Sequence, residues 1–174
     1  ARFAVPAAAA LWVAALSHAT LARNEVWKST VSLWSDTVAK SPNKWRPWFN
    51  LGCAYGETGR LEDAERCFRK VLELESGVML AHSNLATVFI QQQKHREALS
   101  VCRDAAARGI ATPELEHTLG VPQCFVGQVD EGIRTLSHVL TRRPAYRPTH
   151  LVLRAAYAHR KREELALTHY RKAA

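Results

Sequence analysis

Apolar and small side chains recur along most of the chain at a fixed period of about 34 residues. One column of this repeat holds leucine in every copy: Leu51, Leu85, Leu119 and Leu153. A second column holds small side chains: Ala64, Ala98, Gly132 and Ala166. A third column holds mostly larger apolar side chains: Phe68, Cys102, Leu136 and Tyr170. Large and small positions at this period predict antiparallel helix pairs that stack on their neighbours.

The first copy of the repeat has the fullest pattern, Trp48-x-x-Leu51-Gly52-x-x-Tyr55, with Gly59 in the turn. This pattern resembles the tetratricopeptide-repeat (TPR) family, and the resemblance extends over residues 45–174. It implies a right-handed solenoid of TPR helix pairs. Together with an apolar helix predicted from the composition of the N-terminal segment, the expected fold is all-α, with the N-terminal apolar helix followed by the TPR solenoid. The positions that we assign to the repeat framework are Trp48, Leu51, Gly52, Tyr55, Ala64, Phe68, Leu85, Ala98, Leu119, Gly120, Leu153, Tyr157, Ala166 and Tyr170.

Three segments are predicted along the chain. Residues 1–23 form the apolar helix, and residues 24–44 form a half-repeat helix, from Val26 to Lys40, with its connector. Residues 45–174 form four units, at 45–78, 79–112, 113–146 and 147–174, the last one cut short. Pro122 stands inside a first helix, where it removes a backbone donor, so we expect a kink or a register shift in the third unit.

The apolar segment from Phe3 to Ala22 contains no acidic or basic residue, and Arg2 and Arg23 flank it. As a helix of twenty residues it would rise about 30 Å, which is roughly the thickness of a bilayer hydrocarbon core. Nine alanines and Pro6 weaken the segment as a membrane span. A helix buried in an assembly and an uncleaved leader are the alternatives, and a membrane helix through residues 3–22 is favoured.

The junction between this segment and the repeats carries a second resemblance. Residues 15–60, with Arg23-Asn24-x-x-Trp27 and Ser41-Pro42, are similar to bacterial transmembrane and TPR-containing O-mannosyltransferase-like membrane proteins. The resemblance implies a larger parent protein whose catalytic loops lie elsewhere. It also implies a membrane-associated, bacterial-type location, with the repeats in the periplasm or outside the cell.

No catalytic or metal-binding pattern stands out among the reactive residues. The four cysteines, Cys53, Cys67, Cys102 and Cys124, lack metal-ligand spacing, and the eight histidines form no H-x-x-x-H motif. Phosphate-binding glycine loops and nucleophile elbows are also missing from the sequence. We therefore predict that the chain is not an enzyme and binds neither a metal nor a cofactor.

Positive charge is concentrated at the C-terminal end of the chain. The formal net charge is +8, and the segment 141–174 holds nine Lys and Arg against two Glu. Such a region attracts nucleic acid, anionic lipid or an acidic partner, although a solvated helix face has the same composition. Because no aromatic stacking series or groove-reading helix accompanies it, nucleic acid is not the expected partner.

Solenoids of this kind usually bind ligands on the concave face, which the first helix of each unit lines. The predicted peptide-binding residues on this face are Arg46, Phe49, Asn50, Cys53, Asn84, Thr87, Gln91 and His117. The same register adds Ser83, Cys124, Phe125, Leu151 and His159 to the lining. The equivalent residues Asn50 and Asn84 resemble the asparagine ladder with which some TPR proteins hold a peptide backbone, although asparagine is also common at this position of the repeat. The lysine and asparagine set of carboxylate-clamp repeats is missing.

Two functional hypotheses follow from these patterns. The first is a protein-interaction scaffold, tethered to a membrane by its N-terminal helix, that binds a protein or peptide partner in the concave groove. The second is a structural subunit that forms a homo-oligomer or filament through the ends of the solenoid and the apolar helix, since open heterologous contacts build filaments.

Overall fold

A computed structural model of the chain describes residues 12, 16–18, 20 and 27–173. Residues 27–173 form only helices and turns, without a strand, which confirms the predicted all-α class for this part of the chain. The nine helices there are α1 (Thr30–Lys40), α2 (Trp45–Glu57), α3 (Leu61–Leu74), α4 (Met79–Gln91), α5 (His95–Ala107), α6 (Pro113–Phe125), α7 (Val129–Arg142), α8 (Arg147–His159) and α9 (Glu163–Ala173).

The helices follow the period of the sequence. The first helices of the four pairs, α2, α4, α6 and α8, have 13 residues each. Their starting positions are 34 residues apart. The partner helices α3, α5, α7 and α9 begin at the same interval from one another. Each first helix packs on the second helix that follows it, and the pairs stack in chain order. The right-handed sense of the solenoid and the division into four units stay predictions.

Helix α1 precedes the first pair and packs on α2. It begins at Thr30 instead of the expected Val26 because the Ser29 hydroxyl accepts a hydrogen bond from the Ser32 backbone N–H at 3.0 Å and caps the helix there. Its Trp34 packs against a small cluster of buried residues that includes Leu51. The half-repeat helix thus covers the side of α2 that faces away from the second pair.

The predicted apolar helix at residues 1–23 lies mostly outside the described residues, which include only positions 12, 16–18 and 20 of it. Among the helices that the structure describes, none is both long enough and apolar enough to cross a bilayer. The membrane-associated location predicted from the sequence is therefore wrong on this finding.

Pro122 neither ends α6 nor shifts its register. The helix starts and stops at the same repeat positions as α4 and α8. Pro122 lies in the last turn, where its own carbonyl accepts the closing hydrogen bond from the Val126 N–H at 2.9 Å. The expected register shift of the third pair is wrong, because the proline stands too close to the helix end to disrupt the turns before it.

Side chains in the first turn of three helices donate to the connector that precedes each of them. Trp48 Nε1 donates to the Pro42 carbonyl at 2.8 Å. His82 Nε2 donates to the Ser76 carbonyl at 2.9 Å, and His150 Nε2 to the Pro144 carbonyl at 2.8 Å. These contacts provide a donor for connector carbonyls that accept no backbone hydrogen bond within residues 27–173.

The third pair holds a glutamate at this position and is connected differently. Glu116 binds His138 and Arg142 of α7 instead of the connector. The connector itself turns at Gly109, which has a φ of 79° after the end of α5. Ile110, which follows this glycine, stands where two other connectors have proline.

The turn inside every pair has one residue with a left-handed backbone. Gly59 and Gly127 hold this position in the first and third pairs, with φ of 73° and 89°. Gln93 and Lys161 hold it in the second and fourth pairs, with φ of 61° and 55°. A side chain at such a φ is strained, so two of the four turns are less stable than glycine would make them.

Replacing Gln93 with glycine should therefore stabilise the fold by about 0.5–1 kcal/mol, since relief of the strain outweighs the added backbone entropy of the unfolded chain. The matched change Gly59→Ala should destabilise it by about 1 kcal/mol. Urea denaturation followed by circular dichroism measures both. Equal signs for the two variants would show that the turn geometry does not limit stability.

Candidate functional site

The first helices form the inner side of the stack. Neighbouring first helices contact one another, from α2 to α4, α4 to α6 and α6 to α8, whereas neighbouring second helices in residues 27–173 do not. A stack whose members approach on one side and separate on the other curves toward the side of approach. The concave face therefore lies along α2, α4, α6 and α8.

A hollow of about 220 Å³ lies on this face between α2 and α4. We call it the α2–α4 hollow. Its floor is apolar and its rim is polar. The floor residues are Gly52, Gly56, Phe68 and Val88, and the rim residues are Cys53, Glu57, Asn84, Thr87 and Gln91.

The rim side chains are partly engaged with each other. Asn84 Nδ2 lies 3.5 Å from Cys53 Sγ and donates a hydrogen bond across the two helices. Thr87 Oγ1 donates to the Ser83 carbonyl at 2.8 Å. Burial raises the pKa of the Cys53 thiol, and the carboxylate of Glu57 raises that pKa further. The thiol therefore stays protonated at neutral pH.

The structure brings four of the eight predicted peptide-binding residues together in this hollow: Cys53, Asn84, Thr87 and Gln91. Arg46 is exposed on the same helix face, with its guanidinium 5.2 Å from the centre of the Trp45 ring. Asn50 is half-buried. Phe49 is half-buried and packs edge-on against Phe68 with ring centroids 5.7 Å apart, so most of its ring serves the core.

His117 lies away from the hollow, between α6 and α8. Its Nδ1 is 2.9 Å from the Thr149 hydroxyl, and its ring meets Tyr146 edge-on at 5.3 Å. Burial lowers the pKa of this imidazole. His117 thus joins two helix pairs as a neutral side chain.

Three residues of the expected lining serve other contacts. Ser83 is buried. Cys124 faces α7, because a Cβ added at Gly132 would lie only 2.5 Å from its Sγ. Phe125 stacks on His95 at the start of α5, with the ring centroids 4.2 Å apart. Helical register alone does not separate a groove side chain from one that reaches the neighbouring helix. Leu151 and His159 are exposed on α8.

Three residues of the hollow were not predicted from the sequence: Gly56, Glu57 and Val88. A Cβ added at Gly56 would meet nothing within 4 Å, so the glycine leaves open space above the floor. The repeat register could have found Glu57, since it is equivalent to Gln91 and both lie at the end of a first helix.

The remaining thiols are poor nucleophiles. Burial raises the pKa of Cys67 to about 11 and that of Cys102 to about 12, and it also raises the pKa of Cys124. In the part of the chain that the structure describes, no three metal-ligating side chains come together. The geometry offers binding surfaces, and no thiolate is available for covalent chemistry.

A larger hollow, of about 680 Å³, lies along α5 on the outer side of the stack. Arg96 and Arg103 line it together with Asp104, and Val126 and Gln128 close it at the next turn. We prefer the smaller hollow as the functional site, because it has an apolar floor and lies on the concave face where two first helices meet.

Part of the basic charge of the C-terminal region is neutralised internally. Arg142 pairs with Glu116, Arg143 with Glu114 and Arg160 with Asp130. Arg154 lies over the ring of Tyr170 at 5.6 Å. These contacts join helices of the third and fourth pairs and reduce the charge that is free for a partner.

Acidification should destabilise the fold through two histidines. Burial lowers the pKa of His117 and of His169 from the ordinary 6.5, and His150 and Lys172 lower that of His169 further. Since the unfolded chain then takes up protons first, stability is fully present above pH 6.5 and falls as the pH drops from there toward the folded-state values.

Urea denaturation at about pH 7.5 and about pH 5.5 measures this loss. The double variant His117→Gln and His169→Gln should lose less stability between the two pH values than the native chain does. Parallel losses would assign the pH dependence to other groups.

The comparisons with known proteins agree with this architecture. The tetratricopeptide-repeat family model matches residues 45–77. The fold is TPR-like. MamA residues 41 to the end from Desulfovibrio magneticus RS-1 are 20% identical, with 91% of this chain and 89% of that chain covered and a TM-score of 0.74. Another MamA crystal structure is 18% identical over 82% of this chain and 84% of that chain, with a TM-score of 0.71.

MamA AMB-1 is 24% identical over 90% of this chain and 91% of that chain, with a TM-score of 0.69. At these identities the likeness concerns the fold. No curated protein matches the chain.

Proposed function

We propose that the chain is a protein-interaction scaffold that holds a segment of a partner polypeptide along its concave face. The observation that carries this proposal is the α2–α4 hollow, where an apolar floor and a polar rim lie between two neighbouring first helices. An extended peptide presents both amide hydrogen-bonding groups and apolar side chains, and a surface of this kind can bind both.

The side-chain amides of Asn84 and Gln91 are suited to hold the peptide backbone. Both lie on the rim, and each amide carries donors and an acceptor. Asn84 donates one N–H to Cys53, which fixes its orientation and leaves its Oδ1 for a ligand. Asn50 is the equivalent residue on α2 and would extend the contact along the groove.

Site-specific photo-crosslinking tests this proposal. Benzoylphenylalanine replaces Thr87 on the concave face in one variant and Arg66 on the outer face of α3 in the matched control, and both are irradiated in the cells that produce the chain. Discrete polypeptide adducts at position 87 that are missing at position 66 are expected. Identical adducts at both positions, or none at position 87, contradict concave-face binding.

A structural role is the second candidate, and the fourth helix pair provides the observation that favours it. Apolar side chains are exposed along α8 and α9: Leu151, Leu165, Leu167 and Tyr170. Exposed apolar side chains are typical of a surface that another copy covers. Light scattering over a range of concentrations tests this role: association that Leu167→Glu abolishes supports it, and a constant monomer mass contradicts it.

Two other hypotheses stay predictions. The likeness of residues 15–60 to O-mannosyltransferase-like proteins has no part in the scaffold role. The expectation that the chain is not an enzyme is compatible with the protonated thiols but is not decided by them.

A further inference from the structure

We propose that the α2–α4 hollow binds the cationic side chain of a lysine or arginine in the partner polypeptide. This inference rests on the proposed function, since it specifies which side chain the concave face selects.

The rim offers acceptor oxygens on four side chains, beside the remaining amide donors of Asn84 and Gln91: Glu57, Asn84, Thr87 and Gln91. The hydroxyl proton of Thr87 is donated to the Ser83 carbonyl, so only the lone pairs of its oxygen remain. Asn84 uses an N–H on Cys53 and keeps its Oδ1. The carboxylate of Glu57 only accepts. A head group that only donates, such as an ammonium or a guanidinium, can bind to these acceptor oxygens.

Glu57 supplies an unneutralised negative charge at the rim. Within the first pair, Asp63 pairs with Arg60 and Arg66, Glu65 with Arg69 and Lys94, and Glu73 with Lys70, whereas Glu62 makes no ion pair within residues 27–173. Glu57 makes no ion pair within residues 27–173. Residues 45–78 contain six acidic and five basic side chains, so this region does not share the positive charge of the whole chain.

The floor of the hollow fits the aliphatic part of such a side chain. Gly52 and Gly56 contribute no side chains, and the Phe68 ring and Val88 form the apolar surface below them. Lysine and arginine commonly bury their methylene groups on apolar surface while the charged end stays among polar groups. The hollow of about 220 Å³ is lined by both kinds of surface.

Selection from displayed random peptides on the full chain tests this inference. The native chain should enrich peptides with lysine or arginine at one fixed position. Changing that residue to methionine in a selected peptide should weaken its binding to the native chain by about tenfold, as expected for loss of a charge-assisted contact. On a Glu57→Gln chain, the same peptide change should have little effect.

A Gly56→Leu variant provides an independent block. A Cβ at this position would meet nothing within 4 Å, and leucine is favoured over glycine in a helix, so the variant is expected to fold with its side chain at the hollow. The basic preference should disappear from its selected peptides. Arg66→Gln on the outer face is the matched control and should select the same peptides as the native chain.

The outcomes separate this inference from the proposed function. Peptides that bind the native chain without a basic preference, or whose basic preference survives in Glu57→Gln, overturn the cationic site but leave peptide binding intact. Failure of the native chain to select any peptide overturns the proposed function and the cationic site together.

Discussion

Replacing Phe68 with alanine should lower the free energy of unfolding by about 3–5 kcal/mol. The side chain is 2% exposed and fills the space that Gly52 leaves on α2, where a Cβ would lie 2.9 Å from its Cε1. It also belongs to the largest buried cluster, which continues into the second and third pairs. Removal of the ring therefore leaves a cavity where two helix pairs meet.

Urea denaturation followed by circular dichroism measures this effect, with Phe125→Ala as the control. Phe125 is 66% exposed, so its removal should cost less than about 1 kcal/mol. Similar losses for the two phenylalanines would contradict the packing described for the first pair.

Replacing Gly132 with alanine should destabilise the fold by about 1–3 kcal/mol, although alanine is the better helix former. A Cβ at this position would lie 2.5 Å from Cys124 Sγ and 2.9 Å from the Gly120 carbonyl oxygen. The thiol can rotate, but the carbonyl belongs to the backbone of α6, so the two helices of the third pair must separate.

Gly56→Ala is the matched control for this change. It is the same substitution in a helix, but nothing lies within 4 Å of the added atom. We expect it to stabilise the fold by about 0.5–1 kcal/mol. Thermal denaturation should show opposite shifts for the two variants. A stabilising Gly132→Ala would mean that α6 and α7 are farther apart than described.

The helical framework follows from the sequence because its causes are local and repeated. The repeat period places the start of every first helix and every second helix from Trp45 to Glu163. Small residues mark the places where paired helices approach each other, as at Gly52 and Gly120. Because the same contact between paired helices recurs in the repeats, it appears as a periodic position in the sequence.

Other features depend on contacts that do not recur in every repeat and therefore leave no periodic pattern in the sequence. Gln93 and Lys161 adopt the left-handed turn conformation because the helices around them fix it, although the residues themselves do not favour it. Cys124 was expected in the groove, but it faces Gly132 because the third pair packs closely. The α2–α4 hollow needs side chains from α2, α3 and α4 at once, so only half of the predicted binding residues meet there.

The central claim is that the concave face, at the α2–α4 hollow, binds a polypeptide. Nuclear magnetic resonance of the ¹⁵N-labelled chain with a display-selected peptide tests it most directly. The largest chemical-shift changes are predicted at the side-chain amides of Asn84 and Gln91 and along the backbone of α2 and α4. Changes confined to the outer helices α3 and α5, or to the exposed apolar residues of α9, would contradict the claim.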